Sequence, residues 1–173
     1  MTHKLKKLLM VIFGFLLIAQ AGNAQTTLNE KDYKFSIFLT SDWTKTKEEE
    51  TSKKNAISYS FNNIDQENSL MIMAFKVNGI KDIDDLIYNV EKDVNLDIPS
   101  KSGDYNYNDY GDYDRKEATY KDNEVVETVY YFTTKNVDTQ NYAYVVRFIT
   151  LANAYNSSVS KEIDDIIKTF KIN

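Results

Sequence analysis

Two stretches near the C-terminus, Glu124 to Thr133 and Tyr142 to Leu151, are apolar at both odd and even positions. In the first, Val126, Thr128, Tyr130 and Phe132 fall on one side of an extended chain, and Val125, Glu127, Val129 and Tyr131 on the other. In the second, Tyr144, Val146 and Phe148 oppose Ala143, Val145, Ile149 and Leu151. A strand with one wet face alternates apolar with polar, so strands apolar on both sides belong to a sheet covered on both faces. Ser157 to Phe170 supplies a cover. Val159, Ile163, Ile166, Ile167 and Phe170 make one apolar stripe at helical spacing.

The rest of the chain extends this sheet. Tyr33 to Thr40 alternates, with Tyr33, Phe35, Ile37 and Leu39 on one side, and Ser41-Asp42 turns into Trp43, read as a core anchor at the sheet's end. Lys45 to Lys54 is charged and reads as an exposed strand end and hairpin loop, with a further strand possible over Thr44–Glu49. Ala56 to Asn62 points Ile57, Tyr59 and Phe61 inward; Ser69 to Val77 is apolar on both sides and pairs with it. Gly79 breaks that strand. Asp82 caps a helix whose stripe is Ile83, Leu86, Ile87, Val90 and Val94, and Pro99 ends it. Arg115 to Lys121 is one more strand, while Gln25 to Asp32 reads as a mobile polar lead-in. Short connections make the pairing antiparallel. The fold class is α+β: a three-layer α/β/α sandwich around a largely antiparallel sheet of about six or seven strands, the two helices covering its two faces or sharing one.

The first 24 residues stand apart. Lys4, Lys6 and Lys7, an apolar run from Leu8 to Ala19, and Gly22-Asn23-Ala24 have the three-part form of a secretory signal peptide cleaved after Ala24, with an uncleaved anchor as the alternative. Removing them from 173 residues leaves 149, one domain over residues 25–173. The leader takes three of the 21 basic residues, none of the 26 acidic ones, and the single His, so the mature chain carries −8. That charge disfavours nucleic acid and anionic membrane surfaces, and no stable membrane insertion is expected after cleavage. A mature chain without His or Cys has no Ser-His-Asp triad, no thiol nucleophile and no His/Cys zinc site. Carboxylate chemistry and hard-metal binding survive this elimination. No phosphate-cradling glycine loop or nucleophile elbow is present, and no cofactor or resident metal is expected.

Three features could carry function. Between Asp104 and Asp114, Tyr105, Tyr107, Tyr110 and Tyr113 alternate with Asp and Asn around Gly111, in what reads as a polar loop. Counted from Asn106, oxygen-bearing residues fall at positions 1, 3, 7 and 9 of a calcium loop, Gly111 at 6 and Glu117 at 12, although Asn replaces Asp at position 1 and Tyr110 occupies position 5. Read as a recognition surface, the four tyrosines offer large amphipathic area at low entropy cost. This reading is preferred, because loops on rigid scaffolds carry function. Glu127 and Arg147, charged residues on otherwise apolar faces, are expected to pair with each other in a structural role. Asp164 and Asp165 lie opposite the last helix's stripe and are solvated.

The opening Tyr33-Lys34-Phe35-Ser36-Ile37-Phe38-Leu39, then Ser41-Asp42-Trp43, and the closing helix from Glu162 to Phe170 resemble the PsbP-like group, which shares its fold with the Ran-binding Mog type. Thr40 or Ser41 stands where that group usually has Pro. The resemblance spans nearly all of the mature chain and implies an α/β/α sandwich with a binding or assembly role and no catalysis; it brings no functional residues with it. The expectation is an exported protein of the periplasm or exterior that meets an envelope or extracellular protein partner. The alternative is a calcium-dependent carbohydrate binder or carboxylate-based enzyme using the tyrosine loop.

Overall fold

A computed structural model describes residues 26–77, 80–93, 96–135 and 140–173; the leader, Gly79, Val94 and residues 136–139 lie outside it. In chain order the elements are β1 (Thr26–Glu30), β2 (Phe35–Leu39), β3 (Trp43–Glu50), β4 (Ala56–Asn63), β5 (Asn68–Val77) and α1 (Ile83–Glu91). They continue with β6 (Lys101–Asp109), β7 (Tyr113–Lys121), β8 (Val125–Thr134), β9 (Asn141–Leu151), α2 (Ser157–Ile167) and β10 (Lys171–Ile172). Seven strands form one sheet in the order β3-β4-β5-β9-β8-β7-β6, every neighbouring pair antiparallel. A second sheet, β1-β2-β10, has three.

The doubly apolar strands β5, β8 and β9 sit at or beside the centre of the large sheet, where both faces are covered. On one face Leu70, Ile72, Tyr130, Phe132, Tyr144, Val146 and Phe148 meet the small sheet and α2. On the other, Met73, Val129, Tyr131, Ala143 and Val145 meet Ile83, Leu86, Ile87 and Val90 of α1. The two helices therefore take opposite faces, and one outer layer is part helix, part sheet. Fully burying each of these aliphatic side chains contributes about 1.5–3 kcal/mol. Phe170, just past α2, joins the layers: its ring lies 4.7 Å from that of Phe132, 5.6 Å from Phe35 and 5.5 Å from Tyr144. Trp43 is the predicted core anchor, edge-on to Phe148 at 6.4 Å with its indole N–H donating to Glu162 at 3.2 Å.

α1 begins at the cap read in the sequence, and α2 at one the sequence analysis did not single out. Asp82 accepts from the Asp85 amide at 2.9 Å, and Asn156 from those of Ser158 and Val159 at 2.9 and 3.2 Å. Among the described residues no helix is long and apolar enough to cross a membrane.

Three expectations need correction. The strand read over Tyr33 to Thr40 is β2, Phe35–Leu39, and it belongs to the small sheet, with Tyr33, Phe35, Ile37 and Leu39 buried in the core shared with the large one. The polar lead-in is not loose from Thr26 onward: it forms β1, held by its register on β2 and by Leu28 packing on the core. The further strand offered over Thr44–Glu49 is present as the edge strand β3, whose exposed side chains follow from its lying outside both covers. The tyrosine-rich stretch is no loop; it is the opposite edge strand β6 and the tight turn into β7.

Candidate functional site

The hairpin β6–β7 closes through Tyr110 and Tyr113, whose backbone bond from the Tyr110 N–H to the Tyr113 carbonyl is 3.0 Å. Gly111 takes φ +82°, a left-handed conformation that side chains resist, and its N–H donates to the Asp109 carboxylate at 2.7 Å. Period-two alternation then divides the four predicted site residues into two pairs. Tyr105 and Tyr107 stand on the α1 side, Tyr110 and Tyr113 on the α2 side. They do not converge on one concavity.

On the α1 side, the Tyr105 hydroxyl donates to the Glu91 carboxylate in the last turn of α1. The same carboxylate oxygen accepts from Tyr120 at 2.6 Å, and the Tyr120 and Tyr131 hydroxyls lie 2.9 Å apart. Burial first, then the bond to Glu91, pushes the Tyr105 phenol up to about 12. Tyr120 and Tyr131 are raised as well, mainly by burial. Tyr107 donates to Asp114 at 2.5 Å, which raises its phenol too. Every resolved tyrosine shift runs upward, so these phenols are neutral donors at physiological pH rather than activated nucleophiles or bases. Lys101 rests its ammonium 3.8 Å from the Tyr105 ring centre, and Lys116 pairs with Asp84 of α1 at 2.5 Å.

Lys135 bonds Asp109 at 2.9 Å and Asp114 at 2.8 Å, which holds its ammonium above the usual lysine range and Asp109 below the usual carboxylate range. Lys135 and Asp114 also border a polar cleft of 310 Å³ with Lys81, Asp82, Thr133 and Tyr142. On the α2 side the Tyr110 and Tyr113 rings stack at 4.8 Å and 14°. Arg115 reaches the Tyr110 hydroxyl at 3.3 Å and pairs with Glu117, which also accepts from the Asn106 amide at 2.9 Å.

These contacts account for the calcium-like spacing. Asn106 and Glu117 bond each other across the ladder on one face, while Asp114 points from the other into the Lys135 pair. Extended strands cannot curl these oxygens around one ion, and among the described residues no group of three or more acidic side chains is placed to hold a metal.

Glu127 and Arg147 are both 3% exposed and meet through two guanidinium nitrogens, at 2.8–3.1 Å. Arg147 faces Val129 in the ladder, so Glu127 is its diagonal neighbour on the same face. Arg147 also donates to the Leu96 carbonyl at 2.9 Å, pinning the segment after α1. Burial pushes the Glu127 carboxyl up against the pull of Arg147. The pair is closed to solvent, as a structural pair should be.

Glu91 and Lys135, which organise the site, were not singled out by sequence reasoning. Glu91 carried only a weak signal, a carboxylate seven residues after Asp84 and so on the same side of α1. Nothing local marks Lys135; its partners lie across the hairpins.

No protein-family model matches this sequence, and no curated protein matches it. Among solved structures, the Ran-binding protein Mog1p of Saccharomyces cerevisiae aligns at TM-score 0.51 and 7% identity, over 86% of this chain and 95% of Mog1p. A point mutant of Mog1 aligns at TM-score 0.50 with the same identity and coverage. LpqN of Mycobacterium tuberculosis, involved in cell envelope biogenesis, aligns at TM-score 0.45 and 13% identity over 88% of this chain and 92% of LpqN. At 7% identity the likeness is one of fold: this chain is built as Mog1p is.

Proposed function

We propose that this is an exported, non-catalytic binding or assembly protein, and that it meets a protein partner of the cell envelope or exterior through the β6–β7 hairpin. The observation that carries the reading is the hairpin itself. It sets Tyr107 and Tyr110, 49% and 47% exposed, at the rim of a rigid sheet, among the largest exposed apolar side chains of the described residues. Half-exposed tyrosines on a fixed scaffold provide contact area without a large ordering cost. The upward-shifted phenols and the absence of His and Cys from residues 25–173 favour binding over catalysis. Mog1p, with the same fold, binds Ran, so the architecture can serve protein recognition. The three-part leader supports export.

Two measurements test this. Fractionation of cells expressing the full chain should place the shortened 25–173 form outside the cytoplasm, and deletion of residues 1–24 should retain it inside. Immobilised mature domain should retain a discrete protein from envelope extracts, and Tyr107→Ser/Tyr110→Ser should lose it with melting nearly unchanged. Retention of the full-length chain in the cytoplasm, or equal recovery by the double variant, would sink the reading. Millimolar calcium should leave the melting temperature where it was, because no ion binds the native state preferentially.

A further inference from the structure

The large sheet ends in two free edges, β3 and β6, and they are guarded differently. An open edge invites another chain to pair, and natural proteins blunt it with charges and bulges. Along β3, Lys45, Lys47, Glu48, Glu49 and Glu50 line the edge, and the register slips between Lys45 and Lys47. Along β6 the slip lies between Ser102 and Asn106, where Gly103 takes φ +87°. Beyond it the ladder is regular from Asn106 to Asp109, and Asn106-Tyr107-Asn108 carries no charge.

The phase of the ladder says which backbone groups are free. The Tyr110 N–H points at Tyr113, and antiparallel bonding alternates residue by residue. Asn108 and Asn106 therefore turn inward to β7, while the N–H and C=O of Tyr107 and Asp109 point away from the sheet. On this edge strand the Lys101 ammonium rests 3.8 Å from the Tyr105 ring centre, on the α1 side. Among the described residues it is in no ion pair.

From this we infer that the partner binds by strand addition: an extended segment of another protein pairs with the outward backbone of Tyr107 and Asp109, with an acidic side chain on the α1 side facing Lys101. The inference rests on the hairpin being the partner surface and adds how the partner is held. Main-chain bonds supply affinity, and the tyrosine and lysine side chains read alternate residues of the added strand.

The probe is a display library of short linear peptides, selected on the mature domain and followed by amide hydrogen exchange with the best binder. The selected peptides should be rich in Asp or Glu at alternate positions. Binding should slow exchange at Tyr107 and Asp109 about tenfold or more, leaving Asn106 and Asn108, already bonded to β7, unchanged. Tyr107→Pro, which removes only an outward N–H from the backbone, should weaken binding about tenfold beyond Tyr107→Ala. If tyrosine substitutions abolish binding but those two amides gain no protection, the hairpin remains the surface and strand addition is wrong. Should the peptides ignore the tyrosines altogether, the hairpin reading falls too. A library yielding no binder, or the same amides protected by self-association of the domain alone, overturns the inference.

Discussion

Arg147 shows how much one side chain can decide. It neutralises the buried Glu127 carboxylate and ties down the Leu96 carbonyl. Replacing it by Met leaves Glu127 buried and unpaired, and should cost about 3–5 kcal/mol in denaturant unfolding. Glu127→Leu together with Arg147→Met should recover most of that loss, because a packed apolar pair carries no desolvation penalty. Equal destabilisation by the single and double variants would mean that packing, not charge, is what Arg147 contributes. Tyrosines make the second residue-scale prediction. Tyr33 and Tyr105 are both pushed up to about 12, against about 10 when unfolded, with burial the leading cause. The folded state then holds protons that the unfolded chain releases, so this contribution is complete below about pH 10 and is lost as pH rises toward 12. Melting temperature should fall across that window, in step with a late phenolate absorbance; a flat profile would contradict the burial.

At the scale of elements, legibility followed burial. Tyr33, Phe35, Ile37 and Leu39 announce β2, and the stripe from Val159 to Phe170 announces α2, because a buried face must be apolar at the period of its backbone. Elements held mainly by backbone pairing leave no such trace. β1 reads Thr-Thr-Leu-Asn-Glu, and β6 reads as Asp, Tyr and Asn, since an edge strand shows little of itself to the core. The same blindness hid the site. Its tyrosines were visible, but their division between two faces depended on β6 being a strand, and Glu91 and Lys135 act through partners remote in sequence. Caps act locally, through one side chain and the N–H groups of the first turn; Asp82 was readable in the sequence, and Asn156 caps α2 in the same way. Asn156→Ala should therefore destabilise the protein by about 0.5–2 kcal/mol, read as a lower denaturant midpoint at unchanged slope, and Asn156→Asp should retain stability. Loss in both variants would point to a role beyond the cap.

For the molecule as a whole, the division of labour is spatial. The centre of the sheet, α2 and the small sheet form a continuous aromatic and aliphatic core around Phe170 that explains the fold. The β6 side is different in kind: polar, tyrosine-rich and cross-linked by Glu91, Lys116 and Lys135, so that half-exposed rings are held in place. The opposite edge, β3, is charged and serves as an internal control. A photo-reactive amino acid placed at Tyr107, compared with one at Lys47 on β3, locates the partner surface inside cells producing the full chain. A partner held at the β6 edge yields a discrete, envelope-localised crosslinked protein from position 107 and none from position 47. Crosslinking of the same protein from both positions, or from 47 alone, would contradict it.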